Sequence, residues 1–166
     1  MHLSKKPVVE EKVYIAPGAI VRGDVTLREN VSVWFQAVIR AEAASVTVGK
    51  GSNIQDGCVV HVDKGAEVVI GNYVTIGHNA VIHGCTIGDN TLIGMGAIIM
   101  NHAVIGKNCI IAAGALVTQR TVIPDNSLVL GNPARIKRTV TEEEISHNKQ
   151  NAEHYIEEAA FYAQEE

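Results

Sequence analysis

Aromatic residues are scarce in this chain, with one Trp, four Tyr and two Phe among 166 residues. A core must then be built from aliphatic side chains. Charged residues make up 19%, below the ~25% usual for soluble domains. No Lys/Arg run is dense enough for a phosphate-binding stripe, and the net charge is −4, which sets nucleic acid aside as a partner. No uninterrupted apolar stretch approaches the ~20 residues of a membrane span. The segment Met1-His2-Leu3-Ser4-Lys5-Lys6-Pro7 lacks the apolar core of a signal peptide. Cysteine is limited to Cys58, Cys85 and Cys109, an odd number with no close pair. That usage suits a reducing cytoplasm.

What the chain does have is a repeat. Ile15, Val21, Leu27, Val33 and Ile39 recur every six residues; Val48, Ile54 and Val60 follow after three extra residues, and Ile70, Ile76 and Ile82 after four more. One interval then shrinks to five, and Ile87, Ile93, Ile99, Ile105, Ile111, Val117, Ile123 and Val129 complete nineteen aliphatic positions. A period of six does not fit a helix. It reads as an all-β fold, a parallel β-helix whose short strands meet at tight turns, with three repeats per triangular coil. Asn and Gly after many of the aliphatic positions supply the turn chemistry. The two excursions, Ala41–Val46 and around Val62–Val69, are expected to be surface loops.

Gly131-Asn132-Pro133-Ala134 is expected to stop the coil, giving a β-helix domain over residues 1–135. Thr141-Glu142-Glu143-Glu144 then reads as a capping box at a helix start. Ile145, Ala152, Tyr155, Ile156, Ala159 and Tyr162 form a mostly apolar stripe. Residues 136–166 are therefore expected to carry an α-helix packed on the β-helix or on a neighbouring subunit.

The stretch Ile76-Gly77-His78-Asn79-Ala80-Val81-Ile82-His83-Gly84 holds two histidines five residues apart. Five is odd, so along one strand they face opposite ways. Either they are unrelated, or they serve two sites that each need another chain. Taking the repeat positions in threes places Ile39, Val60 and Ile82 on one face of successive coils. The residues after them, Arg40, His61 and His83, then form an outward column spaced at about 4.8 Å. Two imidazoles stacked in this way can grip one metal ion. On another face Ile54 and Ile76 stack, and two residues beyond them lie Asp56 and His78, with Gln55 beside Asp56. His78 therefore belongs to a different column. In a cyclic trimer of prisms, one edge of each subunit faces a different edge of its neighbour. His78 of one subunit could then complete a site with His61 and His83 of the next. Three histidines with an open fourth position are the ligand set of a catalytic zinc hydrolase or hydratase. His102 falls outside the column and reads as surface, and His2, His147 and His154 lie outside the coil. Cys58 and Cys109 occupy the small interior position and read as packing. Cys85 is near His83 but out of its column. Gly94-Met95-Gly96 lacks the third glycine of a dinucleotide loop.

The segments Trp34 to Glu42 (WFQAVIRAE), Asn53 to His61 (NIQDGCVVH) and Gly77 to Gly88 (GHNAVIHGCTIG) resemble the gamma-class carbonic anhydrase family of the hexapeptide-repeat superfamily. The likeness runs from about Ile15 to Arg135. It implies a left-handed β-helix, a homotrimer and metal sites between subunits, with His61, His78 and His83 as ligands. By the same likeness Gln55 orients the hydroxide nucleophile, and Arg40 and Asp56 are inter-subunit ion-pairing and network residues. One position departs from the family pattern. Arg40-Ala41-Glu42 stands where the family usually reads Arg-x-Asp, and the added methylene of Glu42 is expected to alter pairing across the interface. The loops that carry acidic proton shuttles in some members are short here, and the second offers only Asp63 and Glu67.

The expected activity is a lyase reaction, hydration of CO₂ to bicarbonate and a proton on zinc or iron(II). Imidazole ligands suit either metal. Two other classes compete with it. A hexapeptide-repeat acyltransferase using a coenzyme A thioester would share the Gly131-Asn132-Pro133-Ala134-Arg135 ending but leaves the clustered histidines unexplained. A metal-binding or scaffold protein with little hydratase activity would keep the ligands and lack the rate.

Overall fold

The computed structural model describes residues 5–165; Met1–Ser4, with His2, and Glu166 lie outside the described residues. The chain winds into a parallel β-helix of stacked triangular coils. The first face stacks Tyr14–Ile15, Ser32–Val33, Asn53–Ile54, Thr75–Ile76, Leu92–Ile93, Ile110–Ile111 and Ser127–Gly131 in that order. The second face stacks Ile39, Val60, Ile82, Ile99 and Val117 in register above Val21. The third stacks Leu27, Val48, Ile70, Ile87, Ile105 and Ile123. These are the periodic aliphatic positions. Nearly all are sealed from water in one continuous core along the axis. Burying each such side chain is worth about 1.5–3 kcal/mol. The stack itself is held by backbone hydrogen bonds from coil to coil, such as Val59 N–H to Ala80 O at 3.0 Å.

The corners explain the period. Three residues after an inward aliphatic residue the backbone turns left-handed, as at Asn79 (φ 58°), Asn90 (φ 54°) and His102 (φ 62°). Asn and Gly tolerate that conformation best. Gly57 (φ 69°) sits directly under Asn79, and a Cβ there would lie 2.3 Å from Asn79 Oδ1. Between Ile82 and Ile87, where one residue is missing, Gly84 makes the left-handed turn early, at φ 55°.

The two excursions behave differently. Ala41–Val46 is not a loop. It stays extended within one long strand, Val38–Val48, that runs around the corner from the second face to the third. Its small apolar side chains allow this, since Ala41 is buried and Ala43 and Ala44 pack on the core. The second excursion leaves the wall only briefly. Val62 and Ala66 are buried, and Asp63 and Ala66 exchange backbone hydrogen bonds across a tight turn.

The coil ends by reversing direction. A cis peptide bond joins Asn132 and Pro133, and Ala134–Thr139 returns antiparallel to Ser127–Gly131, so sheet continues past residue 135. Thr141 and Glu144 then form the capping box. Glu144 N–H donates to Thr141 Oγ1 at 3.2 Å, and Thr141 N–H donates to Glu144 Oε2 at 2.8 Å. The helix α1 (Glu142–Glu165) lies along the first face, with Asn148, Ala152 and Ala159 buried against it.

Candidate metal centre

Register decides where the site residues fall. Arg40 pairs with His61, and His61 with His83, on adjacent parallel strands of the second face. Their side chains point outward, because the neighbouring Ile39, Val60 and Ile82 point in. The expected column is therefore present. His61 Nδ1 and His83 Nε2 stand 2.9 Å apart, with ring centroids separated by 5.0 Å.

Each histidine has a second partner on its far nitrogen. His61 Nε2 lies 2.9 Å from Glu42 Oε1. His83 Nδ1 lies 2.5 Å from Asn101 Oδ1, and Asn101 Nδ2 donates to Asp63 Oδ2 at 2.8 Å. Glu42 Oε1 also accepts from Arg40 Nη1. The longer glutamate thus turns Arg40 and His61 toward one carboxylate within the chain. The hydrogen bond from His61 holds the Glu42 carboxyl below its ordinary pKa, against the opposing pull of burial. Its other oxygen, Oε2, is sealed from water with no partner among the described residues.

His78, Asp56 and Gln55 form a second group at the corner between the first and second faces. His78 Nδ1 pairs with Asp56 Oδ2 at 2.9 Å. The His78 backbone N–H donates to Gln55 Oε1 at 3.1 Å, and Gln55 Nε2 donates to Asn53 Oδ1 at 3.1 Å. Gln55 is buried, while the His78 side chain is 41% exposed. The six predicted residues therefore divide by edge into Arg40, His61 and His83 on one and His78, Asp56 and Gln55 on another. Among the described residues of one chain, no three His, Cys, Asp or Glu side chains gather as a metal site.

The paired imidazoles fit a metal ion. A tetrahedral zinc with arms of about 2.0–2.1 Å separates two nitrogens by roughly 3.3 Å, so the pair needs to open by only a few tenths of an ångström. A cleft of about 330 Å³ beside His83 is walled by Val81, Ile98 and Met100, with Asp63, Asn101 and Gln119 at its polar side. The remaining candidates do not join the site. Cys58 and Cys85 are interior, and burial pushes their thiols up to about 11 and about 12. His102 is an exposed corner residue.

Asn101 is the residue that sequence reasoning missed. Its signal was the short rung, because Gly84 leaves the space that Asn101 fills. A Cβ on Gly84 would come within 2.7 Å of Asn101 Oδ1.

The family described as bacterial transferase hexapeptide (six repeats) matches residues 84–119. The chain is 55% identical over 149 residues to a probable carbonic anhydrase of Methanocaldococcus jannaschii, covering 90% of this chain and 94% of that one. It is 42% identical to the mitochondrial gamma carbonic anhydrase 2 of Arabidopsis thaliana, over 97% of this chain and 60% of the relative. This chain belongs to the gamma-class carbonic anhydrase family. Within the hexapeptide-repeat fold of that family, it also matches the structure of a putative acetyltransferase from Bacillus cereus, with TM-score 0.96 and 35% identity, over 98% of this chain and 94% of the other.

Proposed function

We propose that the chain is a metal-dependent hydratase interconverting CO₂ with bicarbonate and a proton. In this reading it works as a homotrimer, with His61 and His83 of one subunit and His78 of the next holding zinc or iron(II). The observation that carries the reading is the pair of imidazole nitrogens 2.9 Å apart on one edge, with His78 and Gln55 on another. When bound, the ion would supply Lewis acidity that lowers the pKa of water to about 7.

The rest is done by the chain's own residues. Gln55 is uncharged and fixed by two hydrogen bonds, so it can orient a nucleophile without generating one. Val81, Ile98 and Met100 give CO₂ an apolar wall. A donor from the neighbouring subunit would satisfy the sealed Glu42 Oε2. The proton must leave to solvent, and Asp63 is already engaged with Asn101. Small buffers are therefore expected to speed turnover. The reducing, cytoplasmic setting belongs to the same proposal and rests on three unpaired cysteines. Among the described residues no helix is long and apolar enough to cross a membrane.

The test is CO₂ hydration by protein loaded with zinc or, without oxygen, with iron(II). Activity should rise with pH through an inflection near ~7 and increase with imidazole buffer. A metal-loaded protein that leaves CO₂ unhydrated at every pH and buffer concentration rejects the reading and favours a binding or scaffold role. Acetyl coenzyme A binding with acyl transfer to an amine would favour the transferase instead.

A further inference from the structure

An imidazole has two nitrogens, and only an unprotonated one can take a metal. The hydrogen bonds around His83 leave no choice between them. Asp63 can only accept, so Asn101 must turn its amide nitrogen toward Asp63 Oδ2, at 2.8 Å. The oxygen of Asn101 then faces His83 Nδ1. An amide oxygen cannot donate, so Nδ1 carries the hydrogen and the lone pair of neutral His83 lies on Nε2. His61 is set in the opposite sense. The Glu42 carboxylate accepts at Nε2, so the lone pair of neutral His61 lies on Nδ1. The two nitrogens left with lone pairs are the two that face each other at 2.9 Å.

Two facing lone pairs repel unless an electron-poor centre lies between them. We propose that Asn101, oriented by Asp63, and Glu42 are positioning residues that fix opposite tautomers in His83 and His61, so that His83 Nε2 and His61 Nδ1 aim at one metal ion. This inference rests on the metal reading above and deepens it. None of the three residues is itself a ligand. Gly84 belongs to the same device, since any side chain there meets the Asn101 oxygen at 2.7 Å and the Ala66 Cβ at 2.8 Å.

Long-range ¹H–¹⁵N spectra of the wild-type protein read the tautomers directly, both zinc-loaded and metal-free above the imidazole titration range. They should show the ring N–H on Nδ1 of His83 and on Nε2 of His61. The reverse pattern at His83 overturns the proposal. Zinc affinity, measured by competition with a chromogenic chelator, gives the second readout. Asn101→Ala should weaken binding roughly 10- to 100-fold, the usual size for an outer partner. Asn101→Asp should also weaken it, because two carboxylates then abut. The double variant Asn101→Asp/Asp63→Asn exchanges donor and acceptor and should recover affinity to within about threefold. Glu42→Gln still offers an oxygen to His61 and should bind better than Glu42→Ala. Unchanged affinity in Asn101→Ala, or a swapped pair that recovers nothing, rejects the role. Should wild-type protein take up no metal at all, the hydratase reading fails, while the metal-free spectra still decide the tautomers.

Discussion

Two faces of the prism are built on the same inward aliphatic ladder and differ in what they turn outward. On the first face the outward positions begin Tyr14, Ser32, Asn53 and Thr75, and all four are buried under α1. Their polar atoms are paired: Trp34 Nε1 donates to Ser32 Oγ at 3.0 Å, and Asn151 Nδ2 of the helix donates to Thr75 Oγ1 at 2.9 Å. On the second face the outward positions are Ile20, Val38, Val59, Val81, Ile98 and Leu116. Among the described residues no element covers them, and Ile20, Val59 and Ile98 are 39–49% exposed. The mostly polar rungs of the first face, from Ser32 to Thr75, are ones that the chain covers itself, and the aliphatic second face is left bare. An uncovered aliphatic stripe of this kind is a candidate interaction surface, and it borders the Arg40, His61 and His83 column. The difference between the faces is thus the physical ground for expecting a second copy against the second face.

The largest effect should come from charging the bare face. Val59→Glu with Ile98→Glu places two carboxylates in an apolar interface with no partner. Light scattering should show the proposed trimer fall to monomer, while circular dichroism keeps the β signal. A persistent trimer would break the comparison, because the bare face would then not be the interface. Next come the proposed ligands. His61→Ala, His83→Ala and His78→Ala should each cut zinc affinity by more than the ~10- to 100-fold of an outer-partner loss, and each should keep the fold. Full metal binding by His78→Ala would show that the two edges do not meet. Mixing His78→Ala with His83→Ala subunits should sharpen the case, since each mixed trimer rebuilds one complete site and recovers part of the bound metal.

A smaller effect belongs to Gln55, at the corner between the faces. Gln55→Ala should keep the metal and lose roughly 10- to 100-fold in rate. Normal turnover in that variant would remove Gln55 from the orienting role. The smallest effect concerns the helix that covers the first face. Arg138 forks onto Glu144 at 2.7 and 2.8 Å, and with the Thr141 backbone bond this lowers the carboxyl from 4.5 to about 2. A depressed folded-state pKa contributes stability above the unfolded value and loses it as pH falls through the folded one. The denaturation midpoint of wild type should therefore exceed that of Glu144→Gln at neutral pH. The gap should close between about 4.5 and about 2. A gap independent of pH would mean that the cap does not depend on the charge.

The repeat makes most of this readable in the sequence. A period of six assigns every inward position, and counting by threes assigns the face, so the His61–His83 column followed from arithmetic on the chain. Elements that break the count were less legible. Ala41–Val46 looked like an inserted loop because extra residues in a solenoid usually leave the wall. Three small alanines let them stay extended in Val38–Val48 instead. Glu42 was visible as a departure from Arg-x-Asp, but its turn back onto its own His61 depends on how far one extra methylene reaches. Asn101 was hidden by the short rung. It stands two residues past Ile99 while His83 stands one past Ile82, and only the early turn at Gly84 brings them to the same level.

The reversed strand at the end of the coil has a consequence for the molecule's life among its own copies. A parallel solenoid is an open-ended stack, and its last rung is a template on which any further rung of the same direction can grow. Ala134–Thr139 occupies that template on one face with a strand of opposite polarity. Its exposed residues include Arg135, Lys137 and Arg138. An incoming first coil would meet the wrong hydrogen-bond register and the positive charges of Arg135 and Lys137. The hairpin therefore acts as a terminator against end-to-end fibre growth, a hazard that every protein made by stacking identical turns carries.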